Sequence, residues 1–500
     1  MQRRKFVNTL KWSGLMMATM PSFCLRKESE NYRQDWELIT SEVENSTPVK
    51  LEGNKRIAFG WQADQISPGQ TITLKPSKQL PIQDIYFRMT PAVEIWSIML
   101  LHLYTAENDS YIGTLDIRYT SVLVPYEIKI DATHISAINQ TGLKIKLEAD
   151  HPFGYFSKVS IKDENQVFNP HFLSAQNEKG DLDDFLKCFM SLNSIQAFGW
   201  REGTVLDGLW QLYSQKNEEK ALEALEKHLD LFNDDNDVMR YETARNEPKN
   251  NELDGIESTI PIATIARVKP NHPILKKVLL AWDDYTMDNG MITGGSSLTA
   301  EGCYTVAYPL AVLGKKRNDG EMMQKALDQL RHRFVLIDGH DLNLRYHTNS
   351  DNYTYKNWAR GGAWTLLGFV RTIVEIQDVM RDEEVEQKFR QGVDNALRMQ
   401  QSNGLWNGFM DSNNAVDTSG SAGMSAAILI GVKAGLLPSS YKEHAVKCWH
   451  GLQDYITPDG FLKSVSQDNR GGVKLQESDY RVISQMGMGM MAQLYAYMDL

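Results

Sequence analysis

The side chains of this sequence that could do chemistry fall in three short segments, each at a place where a buried helix is expected to begin. Leu253-Asp254-Gly255-Ile256 supplies one carboxylate, and Leu298-Thr299-Ala300-Glu301-Gly302-Cys303-Tyr304 supplies a second. Asn357-Trp358-Ala359-Arg360-Gly361-Gly362-Ala363-Trp364 adds a guanidinium between two indoles. Hydrolysing the glycoside of an acidic sugar calls for such a set. One carboxylic acid must protonate the departing oxygen or the sugar. A carboxylate must activate water or hold developing positive charge, and neighbouring charges must keep the two pKa values apart. A guanidinium grips a uronate through two parallel hydrogen bonds, while indole faces stack on a pyranose and exclude water. The competing explanation for Asp254 and Glu301 is helix capping, because a carboxylate in a first turn gains roughly 0.3 to 1 kcal/mol from the helix dipole.

The elements that must position these groups follow from periodicity. From about Val49 to Leu173 apolar and polar residues alternate, as in Thr71-Ile72-Thr73-Leu74 and Leu143-Lys144-Ile145-Lys146-Leu147, with turn signals such as Pro68-Gly69 between them. Period two of this kind predicts a β-sandwich over residues 45–175. After Pro170 the period becomes helical. Apolar helices are expected near 204–215, 255–266, 301–313, 361–376, 418–434 and 482–498. Amphipathic ones are expected near 182–194, 217–232, 272–287, 320–335, 383–400 and 440–455. Inner helices alternating with outer ones over residues 180–500 predict an (α/α)6 six-hairpin toroid, with the starts of the inner helices facing a central funnel. The fold class is thus multidomain, a β-sandwich followed by an all-α toroid. Met486-Gly487-Met488-Gly489 on the last inner helix reads as close helix packing.

Composition excludes several classes. A formal net charge of -11 leaves no global basic surface for nucleic acid or anionic membrane. No phosphate loop, serine nucleophile elbow or His-rich metal motif is present, so neither cofactor nor metal is expected. Gln2-Arg3-Arg4-Lys5-Phe6 followed by the apolar run Trp12 to Phe23 has the layout of an export signal of the twin-arginine kind over residues 1–28, directing the chain to a periplasm. That run is shorter than the about 20 residues a spanning helix needs. Phe23 before Cys24 is bulkier than a lipid-anchoring site prefers, and no membrane span is expected. Cys188, Cys303 and Cys448 lie in apolar stretches and read as buried thiols, with at most one pair among the three.

Several segments carry a family resemblance. Trp358-Ala359-Arg360-Gly361-Gly362-Ala363-Trp364 resembles the Trp-x-Arg-Gly-x-x-Trp signature of the unsaturated glucuronyl and rhamnogalacturonyl hydrolases, glycoside hydrolase families 88 and 105. Asn403-Gly404-Leu405-Trp406, then Asp417-Thr418-Ser419-Gly420-Ser421-Ala422, is similar to two more of their motifs. Leu253-Asp254-Gly255-Ile256 and Tyr346-His347 resemble two others. The resemblance implies catalytic roles for Asp254 and Glu301. It implies a sugar subsite lined by His347, Trp358, Arg360 and Trp364, with Trp406 and Ser419 added by the remaining motifs. For Trp406, packing in its turn is an equally good explanation. In those families the acid and base at the head of the third inner helix is an Asp, whereas here it is Glu301. The implied chemistry is hydration of the double bond that a polysaccharide lyase leaves in a terminal uronic acid. Sandwich plus toroid with a different acid also resembles the β-glucuronidases of glycoside hydrolase family 154, which cleave saturated substrates. The expected partner is an oligosaccharide ending in a uronic acid, and the sequence does not indicate an oligomeric state. A polysaccharide lyase and a noncatalytic carbohydrate-binding protein remain the alternatives.

Overall fold

The computed structural model describes residues 35–159, 167–234, 236–295 and 297–499. The expected export signal over residues 1–28, with Cys24, lies outside them. The alternating region forms β1 (Trp36–Glu44), β2 (Thr47–Pro48), β3 (Gln62–Ile66), β4 (Thr71–Pro76), β5 (Ile85–Met89), β6 (Ile98–Thr105), β7 (Tyr111–Arg118), β8 (Tyr126–Ile130), β9 (Leu143–Glu148), β10 (Phe153–Lys158) and β11 (His171–Ala175). A short helix, α1 (Ala132–Thr141), precedes β9 and is capped by Asp131, whose carboxylate accepts from the Thr133 amide.

Eight strands form one sheet in the order β7-β6-β9-β4-β1-β11-β5-β8, and β10-β3-β2 form a second. Strand β1 joins the halves of the large sheet, because residues 36–40 pair with β11 while residues 41–44 pair with β4. The sheet therefore begins ahead of residue 45, where the expected boundary fell. Alternation stops being visible in β1 because both its ends are largely polar, as in Trp36-Glu37-Leu38-Ile39-Thr40-Ser41-Glu42.

The remainder is largely helical: α2 (Leu182–Phe189), α3 (Trp200–Lys216), α4 (Glu219–Leu231), α5 (Ile260–Val268), α6 (Ile274–Asp284), α7 (Tyr308–Arg317), α8 (Gly320–His332), α9 (Ala359–Ile376), α10 (Glu383–Leu397), α11 (Thr418–Lys433), α12 (Lys442–Leu452), α13 (Gly472–Glu477) and α14 (Gln485–Ala496). Helices α3, α5, α7, α9, α11 and α14 each pack on the next, and α14 returns to α3. Their partners α4, α6, α8, α10, α12 and α2 lie against them in turn. The split follows sequence. Helix α11, Thr418-Ser419-Gly420-Ser421-Ala422-Gly423-Met424, is buried nearly throughout, whereas α4, Glu219-Lys220-Ala221-Leu222-Glu223-Ala224-Leu225, buries one stripe. Gly208 and Gly489 let α3 and α14 approach closely, since a Cβ on Gly489 would stand 2.4 Å from the Thr204 carbonyl oxygen. The three cysteines among the described residues are free and buried. No helix among the described residues is long and apolar enough to cross a membrane.

The strands and helices form one compact unit from residue 35 onward. Arg88 on β5, fully buried, donates to Glu127 on β8 and to Asp459 in the turn before α13. Gln467 donates to the Tyr126 hydroxyl at 2.8 Å, a second polar tie between strand region and helices.

Candidate active site

Where the heads of the inner helices meet the strand region, a cavity of about 240 Å³ is lined by Asp254, Glu257, Glu301, Arg345, Trp358, Arg360 and Trp364, with Trp96, Trp200, Arg201, Asp468 and Arg470 around them. Asp254 precedes Gly255, whose φ of 70° turns the chain into the short helical turn Ile256–Ser258 ahead of α5. Neither Gly255 nor Thr259 caps that region through a side chain, and Asp254 instead pairs with Lys249 at 3.2 Å. Capping therefore does not explain Asp254.

Glu301 opens a helical run whose first full turn, Cys303–Ala307, is π-wound before α7. Such turns recur at functional sites because they redirect side chains at the cost of regular hydrogen bonding. The loop leading to it is fixed by Arg333, which donates to the carbonyls of Ile292 and Thr299 at 2.8 and 3.1 Å. Gly302 leaves room for that guanidinium, since a Cβ there would stand 2.1 Å from one of its nitrogens. The Glu301 Oε2 is shielded from solvent and lacks a hydrogen-bond partner among the described residues. Burial first, then the charge of Glu257, push the Glu301 carboxyl up to about 6, against weaker opposing pulls from Arg345 and the Thr299 hydroxyl. A carboxyl in that state holds its proton up to about pH 6, above the range of an ordinary glutamate, and the residue lines the cavity.

Arg345 arrives by strand register. It lies on the strand Asp341–His347, paired antiparallel with Ser297–Thr299 so that Arg345 faces Thr299, two residues before Glu301. Its Nε is buried without a partner among the described residues. Its i+2 neighbour His347 is engaged at both ring nitrogens, with Ser297 Oγ at 2.9 Å and Thr354 Oγ1 at 3.3 Å, and does not line the cavity.

Arg360, in the first turn of α9, lies over the Trp358 ring at 4.6 Å and is 2% exposed. Both its terminal nitrogens donate to backbone carbonyls, of Ser466 and Gln467. These two bonds hold the 466–467 loop, so two of the donors expected to grip a uronate are already engaged, while Arg360 still lines the cavity. The same loop carries Asp468. Burial would raise the Asp468 carboxyl, yet Arg201, Arg470 and Arg360 hold it below the ordinary carboxylate range. Trp364 stands edge-on to Trp200, ring centres 5.6 Å apart, so the two indoles brace each other at the cavity wall.

Trp406 and Ser419 are not in the cavity lining. Trp406 is fully buried, with its indole N–H donating to the Ala396 carbonyl at 2.8 Å, so it packs its turn and is no sugar platform. Ser419 donates to Asp417, the N-cap of α11, at 2.6 Å, and serves the start of that helix. Among residues not anticipated as site residues, Glu257 had a signal three positions after Asp254. Arg345 directly precedes the Tyr346-His347 motif, but no spacing marks it as a site residue. Trp96 had none, being contributed by the strand region.

Helix heads converging on an indole-lined cavity with one carboxyl of raised pKa suit a hydrolase of carbohydrates. Comparison with known proteins narrows that class: the chain belongs to Glycosyl Hydrolase Family 88, whose family model matches residues 174–499, and it is accordingly a glycoside hydrolase. A solved structure from C. acetobutylicum ATCC 824, described as a glycoside hydrolase from family 105, superposes with a TM-score of 0.54 at 18% identity, covering 64% of this chain and 98% of that one. Another, described as a possible member of family 105 from Salmonella enterica subsp. enterica serovar Paratyphi A str. ATCC 9150, gives 0.52 at 16% identity, covering 68% and 89%. At these identities the two show a shared fold. No curated protein matches the chain by sequence.

Proposed function

We propose that the protein is an exo-acting hydrolase removing a terminal unsaturated uronic acid from oligosaccharides. Glu301 is its acid and base, and a six-hairpin (α/α)6 toroid is its frame. The observation that carries the reading is the Glu301 carboxyl, shielded, unpaired at Oε2 and raised to about 6. Hydration of the C4–C5 double bond needs a single group of this kind. Protonated Glu301 gives its proton to C4, and water adds at C5 while losing a proton to the Glu301 carboxylate. The resulting hemiketal opens to a ketone at C5, and the hemiacetal this leaves at C1 collapses to an aldehyde, releasing the remaining sugar as an alcohol. Asp254, paired with Lys249 and facing the same cavity, is the second carboxyl group and orients the incoming water. Arg345, with its partnerless Nε, takes the substrate carboxylate in place of Arg360. Trp358, Trp364 and Trp200 wall the sugar ring. The Arg3-Arg4 segment supports export to a periplasm as part of the same reading.

A second reading, direct cleavage of a saturated β-glucuronide, is favoured by the Glu in place of the families' Asp and by the N-terminal β region. Lyase-generated oligosaccharides separate the two. Loss of the double bond's ultraviolet absorbance supports hydration. Turnover of 4-nitrophenyl β-glucuronide alone, with that absorbance untouched, supports the second.

A further inference from the structure

The segment between β5 and β6 carries an indole that the helical ring does not supply. Trp96 lines the same cavity as Glu301 and Arg345 yet is 56% exposed, the largest uncovered aromatic surface beside the site. Its backbone is not loose. The Ala92 amide donates to the Gly154 carbonyl at 3.0 Å, and the Ile95 amide to the Thr120 carbonyl at 2.9 Å. The neighbouring Glu94 amide donates to the Asn246 side chain at 3.2 Å, and Asn246 donates back to the Ala92 carbonyl at 2.9 Å. One side of the ring is held by the Arg470 guanidinium, 4.7 Å from its centre. That guanidinium is itself ion-paired with Glu94 and lies near Asp468. More than half of the indole's surface is left uncovered.

The exposures order the cavity by depth. Trp358 and Trp364 are 2% and 3% exposed and Glu301 Oε2 is shielded, whereas Trp96 is more than half open. A terminal sugar held by Arg345 and Glu301 therefore leaves its linked neighbour toward the Trp96 side. A half-exposed indole fixed in a rigid loop forfeits burial free energy in the unliganded protein and recovers it when an apolar ring face covers it.

We propose that Trp96 is the platform for the sugar on the leaving-group side of the scissile bond, so that the β region selects oligosaccharides over simple glycosides. This rests on the terminal-uronic-acid reading. The test compares the full-length protein with Trp96→Ala and Trp96→Phe on two substrates sharing one terminal unsaturated uronic acid. One substrate is a lyase-generated trisaccharide and the other the methyl glycoside of the unsaturated uronic acid alone.

The ratio of kcat/KM, trisaccharide over methyl glycoside, is expected to fall about three- to tenfold in Trp96→Ala, mainly through KM, with Trp96→Phe recovering most of it. An unchanged ratio in both variants, or equal loss on both substrates, overturns the platform role. If the unaltered protein hydrolyses neither substrate, the terminal-uronic-acid reading fails first, and the platform with it. Thermal melting of both variants checks that they fold.

Discussion

Glu301 differs from an ordinary surface glutamate in one respect, which is that ionising it is unfavourable where it stands. Replacing it by Gln removes the transferable proton while keeping its shape, and turnover is expected to drop about a hundred- to ten-thousandfold in steady-state assays. In the unaltered protein the rate constant should decline as pH rises through about 6, where the acid is lost. Stability follows the same sign. A carboxyl whose folded pKa is raised stabilises the fold below its unfolded value, and that contribution is lost as pH rises through the folded one. Glu301→Gln should therefore melt higher than the unaltered protein at pH 8, with the gap closing below about 4.5, the ordinary glutamate value. Arg345→Ala should raise KM for a uronide about 10- to 100-fold, with Arg345→Lys intermediate, as measured by initial rates. The carboxylates were legible in the sequence because helix heads in a ring face one funnel. Arg345 was less so, since a single Arg on a short strand has no spacing to announce it. Trp406 shows the converse: a motif records which residues recur, but not whether the ring is covered.

At the scale of elements, several close constraints meet at the turn around Glu301. Gly302 admits Arg333, which ties the 292–299 loop, and the π-wound turn follows at once. Gly302→Ala is expected to destabilise by about 1 to 3 kcal/mol in chemical denaturation, with a larger proportional loss of activity, because the displaced guanidinium releases the loop that aims Glu301. The helical period made the packed helices readable to within a few residues, as for 418–434 against Thr418–Lys433. It could not show the π-wound turn, where the period changes for five residues, Cys303–Ala307. Nor could it show the strand pair Asp341–His347 and Asn352–Lys356, whose partly buried residues follow neither clean alternation nor helical spacing.

At the scale of the whole molecule, strands and helices are joined by buried charge. Arg88 and Asp459 are 0% and 1% exposed, so Arg88→Ala strands a carboxylate in the interior. It should cost about 3 to 5 kcal/mol, whereas unfolding of the unaltered chain should follow one calorimetric transition. The alternating segment and the helical segment were each legible, but their mutual packing was not, because the residues that join them are hundreds of positions apart. That packing brings Trp96 to the cavity. The central claim is that this assembly hydrates an unsaturated terminal uronic acid through Glu301. The most direct measurement follows the ultraviolet absorbance of lyase-generated oligosaccharides with the unaltered protein and with Glu301→Gln. The account predicts steady loss of absorbance with the first and essentially none with the second. Undiminished loss with Glu301→Gln, or no loss with either, would contradict it.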